Sequence, residues 1–247
     1  MAGVISGQFV FMRTMVDHYK GSFFGRRAGK PASPRQSQLL QDILPHMALD
    51  LKQSPPENLA ELFPVPVKSV CLEIGFGGSE HLIHRARENP EIGFIGCEPF
   101  SSGIVKAVSS IEEYGIKNIR LYDDDAGKLL DWLPKASLDM AYQLYPDPWP
   151  KKKHWKRRFV NQINLSRIGR ALKPECEYRF ASDIDTYVDW TLSHCRKHPA
   201  FEWGAECATD WRTPWENWPG TRYERKAHRE GRVGRYLTFL RVSETET

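Results

Sequence analysis

The sequence predicts a doubly wound α/β fold built on a mostly parallel sheet. From residue 68 onward, short apolar runs alternate with segments of helical spacing, each about 10–15 residues long, as in strands joined by crossover helices. Successive runs end in a carboxylate or a glycine turn, and in such sheets ligands bind beyond the carboxyl ends of the strands. The 247 residues, 40% hydrophobic and 27% charged, suit one enzyme-sized domain whose core needs no metal or disulfide staples.

Residues 1–60 are set apart as an N-terminal basic arm, partly flexible. FFGRRAGKPASPRQS (23–37) and QSPPENL (53–59) are rich in Pro, Ser, Gly and charge, with one apolar stretch, LLQDILPHMAL (39–49), that suits a helical turn or two. Residues 61–247 form the folded domain. SVCLEI (69–74) is a first strand and GFGG (75–78) a turn. SEHLIHRARENP (79–90) is a helix with Leu82, Ile83 and Ala86 at helical spacing before a proline stop. IGFIGCE (92–98) is a second strand, followed by the helix SSGIVKAVSSIEEYG (101–115), closed by Gly115. NIRLYDD (118–124) and LDMAYQLYP (138–146) are the third and fourth strands. A helix from about Arg157 to Leu172, strand YRFAS (178–182), helix IDTYVDWTLSHC (184–195) and the late strand YLTFLRV (236–242) complete the pattern.

Composition excludes several classes. No apolar run approaches the roughly 20 residues of a membrane-spanning helix, and the N-terminal segment lacks the basic and apolar regions of a signal peptide. Five cysteines, widely spaced and without a CxxC pair, read as reduced thiols of a cytoplasmic protein and not as a zinc site. Net charge is only +4, but six of the eight residues from Lys151 to Arg158 are Lys or Arg. Arg222 to Arg241 holds seven more against two glutamates. Two basic clusters on a nearly neutral chain point to an anionic partner meeting one face; a pair of solvated loops is the plainer reading.

The first strand, turn and helix bear on the ligand. Gly75-Phe76-Gly77-Gly78 presents backbone N–H groups without side chains in the way. A dinucleotide fingerprint would place glycine at position 80, which holds Glu80. Glu73 just before the turn suits a cationic amino-acid end better than a pyrophosphate. Glu98 closes the second strand, where an acid accepts ribose hydroxyls. Asp125 follows the third, where it could receive an adenine amino group. The three acids together suit S-adenosylmethionine over NAD. Glu80 reads as a helix N-terminal acid, and His81 and His84 as structural histidines. Trp203, Trp211, Trp215 and Trp218 read as packing for a lid or loop, with a base-stacking surface as the alternative.

At the end of the fourth strand stands YPDPWPKKKHWKRR (145–158), in which two prolines present one carboxylate, Asp147, ahead of the basic run. With LEIGFG (72–77), IGCEP (95–99), DDDA (123–126), ASD (181–183) and GTRYERKA (220–227), this string resembles the bacterial tRNA (guanine-N7)-methyltransferase family over residues 65–242. FFGRRAGKP (23–31) resembles the basic arm ahead of that family's catalytic domain.

The resemblance implies a Rossmann-like class I methyltransferase fold, with a mostly parallel seven-stranded sheet and an antiparallel last strand. It implies methyl transfer from S-adenosyl-L-methionine, leaving S-adenosyl-L-homocysteine, to N7 of guanine 46 in the tRNA variable loop, with no metal. Carried over by motif, Glu73, Gly75, Gly77, Glu98, Asp125 and Asp147 contact the cofactor, Asp147 also being the candidate catalytic residue. Lys151, Asp183, Thr221, Arg222, Tyr223 and Glu224 contact the substrate. Pro150 departs from the polar residue of many relatives. The implied partner is tRNA, with no membrane and no obligatory protein partner, for a cytoplasmic monomer or homodimer. An oxidoreductase on the same fold, a non-catalytic RNA-binding relic, and methylation of DNA, protein or a small molecule are the rival readings. Glu80 weighs against the first and the intact acid set against the second; the basic clusters favour nucleic acid over protein or a small molecule, and only the family resemblance selects tRNA.

Overall fold

The structure is a computed structural model that describes residues 23–25, 27 and 33–243; the rest of the expected arm lies outside the described residues. Helix α1 (Pro34–Asp42) begins earlier than the apolar stretch suggested. Ser33 and Gln36 form a reciprocal capping box, and Pro34 occupies the first turn. A short α2 (Leu44–Met47) follows. Strand β1 (Ser69–Ile74) leads through the glycine turn to α3 (Glu80–Glu88), β2 (Ile92–Cys97) to α4 (Ser101–Tyr114), and β3 (Ile119–Tyr122) to α5 (Ala126–Trp132). Strand β4 (Leu138–Leu144), a 3₁₀ turn (Lys152–Arg157) and α6 (Gln162–Ala171) precede the long β5 (Leu172–Ser182). Then come α7 (Asp185–Arg196), β6 (Phe201–Trp203), α8 (Ala208–Arg212), α9 (Arg222–Arg229) and β7 (Arg235–Arg241).

The seven strands lie in the order β3-β2-β1-β4-β5-β7-β6. The β1, β2, β3, β4 and β5 pairings are parallel, and β7 runs antiparallel to both neighbours. The expected doubly wound sheet with an antiparallel last strand is therefore present. Alternation along β1 sorts its side chains. Val70, Leu72 and Ile74 enter the core shared with α5, α6 and α7, whereas Cys71 enters the one shared with α3 and α4. Glu73 shares the phase of Cys71, so it points into the α3 layer.

Three element readings need revision. The helix read from about Arg157 starts only at Gln162, where the Asn161 side chain caps it, because Lys152–Arg157 form a separate 3₁₀ turn. β5 starts well before Tyr178, passing through Pro174 and through Glu175 at φ 65°, and its register on β4 shifts between Leu138 and Met140. Proline is tolerated in a strand at such an irregularity. β4 ends at Leu144, because Tyr145 turns to φ 50°.

Residues 39–49 dock onto the domain. Leu39, Leu40, Ile43 and Leu44 pack on the α4 side of the sheet. Ala48 bridges Leu121 in β3, and Leu49 N–H donates to the Leu121 carbonyl at 2.8 Å.

The glycine turn and α4 approach closely at Gly103. A Cβ there would stand 2.6 Å from the Gly77 carbonyl oxygen and 2.7 Å from Glu98 Cγ. Backbone cannot yield as a flexible side chain does. Gly103→Ala is expected to cost about 1–3 kcal/mol, in the range of core overpacking, read from urea unfolding. Wild-type stability would mean that α4 shifts freely.

Candidate active site

The carboxyl ends of β1, β2 and β4 open on a cavity of about 430 Å³. Gly75 at φ 72° and Gly77 at φ 55° form its backbone edge. Nothing lies within 4 Å of where a Gly75 Cβ would stand, so the main chain faces open space there. At Gly77 a Cβ would come within 3.1 Å of the Tyr223 ring, so glycine is needed for both its backbone angle and its close packing.

Glu98, just past β2, is buried against this edge. Its Oε2 accepts from Gly77 N–H at 2.7 Å and its Oε1 from Phe100 N–H at 2.9 Å. Each oxygen keeps a lone pair for a ligand hydroxyl. Burial raises its pKa; the two backbone N–H groups and Arg222 oppose this rise, and the Asp147 charge adds to it. Asp147 is exposed to the cleft, whose walls raise its pKa by desolvation. Around it the backbone is constrained. Tyr145 and Trp149 both adopt positive φ, at 50° and 44°, a strained region for non-glycine residues.

The acid after β3 is engaged on both sides. Asp125 Oδ1 caps α5 through Gly127 N–H at 2.7 Å, and Oδ2 accepts from Phe23 N–H at 3.0 Å. Phe23, Phe24 and Gly25 line the cavity, so part of the arm closes over the Asp125 side. Glu73 does not line it. Its Oε2 accepts from His81 Nδ1 at 2.7 Å, both side chains being 4% exposed.

The residues expected at the substrate divide in the same way. Arg222 and Tyr223 line the cavity. Thr221 and Glu224 lie beneath them. Thr221 Oγ1 caps α9 by accepting Glu224 N–H at 3.1 Å. The buried Glu224 carboxylate accepts from Tyr145 Oη at 3.2 Å, Trp218 Nε1 at 2.9 Å and Tyr236 Oη. Asp183 accepts from Arg232 Nε at 2.6 Å. Lys151 is exposed at the start of the basic 3₁₀ turn. There His154 has a lowered pKa, through desolvation and the cations Arg157, Lys153, Lys151 and Lys156 around it.

Sequence reasoning missed several cavity residues. Arg157 and Trp149 stack at 4.9 Å and both line the cavity; their signal lay within the YPDPWPKKKHWKRR string. Gln143 and Tyr187 also line it but come from apolar runs that carry no functional signal. Trp215 and Trp218 pack on Tyr236 and each other, and Trp203, on Phe239, stays 38% exposed. No helix among the described residues is long and apolar enough to cross a membrane.

A glycine edge, a buried acid after β2 and this strand order define a class I S-adenosylmethionine-dependent methyltransferase. A 16S rRNA methyltransferase, KamB, matches the fold with TM-score 0.58 at 16% identity, over 77% of this chain and 96% of that one. A family profile described as "Putative methyltransferase" matches residues 67–235. The tRNA (guanine-N(7)-)-methyltransferase of Agrobacterium fabrum is 60% identical over 220 residues, 89% of this chain and 95% of the relative. That of Rhizobium meliloti is 60% identical over 221 residues, 90% and 95% of the two chains. The chain belongs to the tRNA (guanine-N7)-methyltransferase family.

Glu98→Ala is expected to weaken S-adenosylmethionine binding by about 1.5–3 kcal/mol, the scale of hydrogen bonds to a charged group. Because burial raises the Glu98 pKa, protonation should erode wild-type affinity at a higher pH than for an ordinary glutamate, and Glu98→Gln should flatten that dependence. Calorimetric titration checks both; wild-type affinity in Glu98→Ala would remove this residue from the cofactor site.

Proposed function

We propose that the protein transfers a methyl group from S-adenosyl-L-methionine to N7 of a guanine in tRNA, guanine 46 of the variable loop. The observation that carries this reading is the placement of Asp147. It stands at the mouth of the glycine-edged cavity, with Glu98 inside and the exposed basic run outside. The donor set fits the cofactor. Glu98 would accept from the ribose hydroxyls, the carboxylates of Glu98 and Asp147 favour a ligand with a cationic centre, and Arg222 offers a partner for a carboxylate. When bound, S-adenosylmethionine supplies an electrophilic sulfonium methyl.

Guanine N7 carries an in-plane lone pair and no proton, so the transfer needs no general base. The protein's part is placement at near-attack distance and electrostatic support as positive charge develops on the base. Asp147 would accept from guanine N1–H and N2–H₂ and balance that charge. Lys152, Lys153 and Lys156, exposed beside the cavity, would hold phosphates, which position the RNA without reading its sequence. Turning the base toward the cofactor costs some stacking energy.

Three measurements test the reading. Incubation with labelled S-adenosylmethionine and unmodified tRNA should yield 7-methylguanosine at one site. Asp147→Ala should lower the single-turnover rate at saturating cofactor by at least about 10²-fold, the scale for one preorganised electrostatic group. Its affinity for tRNA should barely change; a near-normal rate would reduce Asp147 to a loop-shaping residue. Replacing Lys152, Lys153 and Lys156 with Ala should also flatten the salt dependence of tRNA binding, by a log–log slope of roughly 0.7–0.9 for each phosphate no longer neutralised. An unchanged slope would make them a solvated loop.

A further inference from the structure

The basic run is not one surface. Lys151, Lys152, Lys153 and Lys156 are exposed, whereas Arg158 at its end is 1% exposed and among the largest fully buried side chains. All three of its guanidinium nitrogens are used. Nε donates to the Pro148 carbonyl at 2.9 Å, Nη1 to the Thr186 carbonyl at 2.7 Å and Nη2 to Thr186 Oγ1 at 3.2 Å. The guanidinium carbon stands 4.5 Å from the Trp155 ring centroid, 4.7 Å from Tyr187 and 5.4 Å from Trp190. No carboxylate among the described residues pairs with it. Carbonyl dipoles and ring faces take that place, and only a planar fork of donors meets three such oxygens at once.

The two ends of this clasp are informative. Pro148 directly follows Asp147, and Thr186 directly precedes Tyr187, which lines the cavity. Pro148 has its own φ fixed and restricts Asp147 to extended backbone, but its ψ is free. A bond to the Pro148 carbonyl removes that freedom. On the other side of Asp147, Tyr145 is held by Glu224 at 3.2 Å. We propose that Arg158 is a positioning residue for methyl transfer, fixing the Pro148 carbonyl and so the direction of Asp147, and that it binds no phosphate. This rests on the proposed function above.

The test is single-turnover methylation at saturating S-adenosylmethionine and tRNA, with tRNA affinity measured across a salt series. The proteins are wild type, Arg158→Ala and Arg158→Lys. Arg158→Ala is expected to lose about 10–10²-fold in rate, the scale of a small misplacement of reacting groups. Its salt slope should stay that of wild type, whereas removal of a phosphate-binding cation would lower it by roughly 0.7–0.9. Arg158→Lys keeps the charge but not the fork, and should be slowed as well with the slope unchanged. Should Arg158→Ala fail to fold, the rate of Arg158→Lys decides. A wild-type rate in the folded variants, or a reduced slope whatever the rate, overturns the proposal. A wild-type protein that forms no 7-methylguanosine overturns the proposed function and this inference with it. A wild type that forms it, beside variants equally fast, overturns the inference alone.

Discussion

Two carboxylates face one cavity, and the rest of the site serves to keep them there. Each of Glu98 and Asp147 is desolvated enough to raise its pKa, and the charge of Asp147 adds to the effect on Glu98. Left to themselves, the two groups would move apart or toward water. Glu98 is held by N–H groups of Gly77 and Phe100, which requires the glycine turn to press against α4 at Gly103. Asp147 is held by its prolines, with Tyr145 tied on one side and Pro148 on the other. A cationic ligand between them would relieve the repulsion that the fold maintains.

Much of this arrangement was legible because strand and helix periods are written in residue types. From Ser69 to Leu144 the apolar runs and glycine turns place the first four of the five parallel strands and the helices α3 and α4. Elements that lack such a signal escaped. β6 has three residues, α5 has seven, and α9 is so charged that it reads as a basic cluster before it reads as a helix. The sequence shows only the last part of β5, because Pro174 cannot donate to a ladder and Glu175 breaks the apolar alternation ahead of Tyr178.

Periodicity also explains why the predicted site residues divided. A motif fixes positions along the chain, but the turn of the element decides which way each side chain faces. Glu73 follows the phase of Cys71 and meets His81 in the α3 layer. Along α9, Arg222 and Tyr223 face the cavity, while Glu224 turns inward to join Tyr145, Trp218 and Tyr236. Asp183 is drawn to Arg232, a partner about fifty residues away that no local pattern announces. Nothing in the local sequence sets the last arginine of the basic run apart as the buried one; only the fold does.

The docking of Ala48 and Leu49 on β3 has a consequence for how the sheet ends. A strand at a sheet edge presents unpaired N–H and C=O groups that invite another chain to add on. One border of this sheet is β6, too short to template much pairing. The other is β3, whose Leu121 carbonyl is already taken by Leu49 N–H, with Arg120 bonded to the His46 and Leu62 carbonyls alongside. The segment ahead of the domain thus works as a selvedge. A chain trimmed to start at residue 61, where composition changes, would keep the cavity residues that follow yet bare a four-residue border to its neighbours, exchanging a self-limiting sheet for a sticky one.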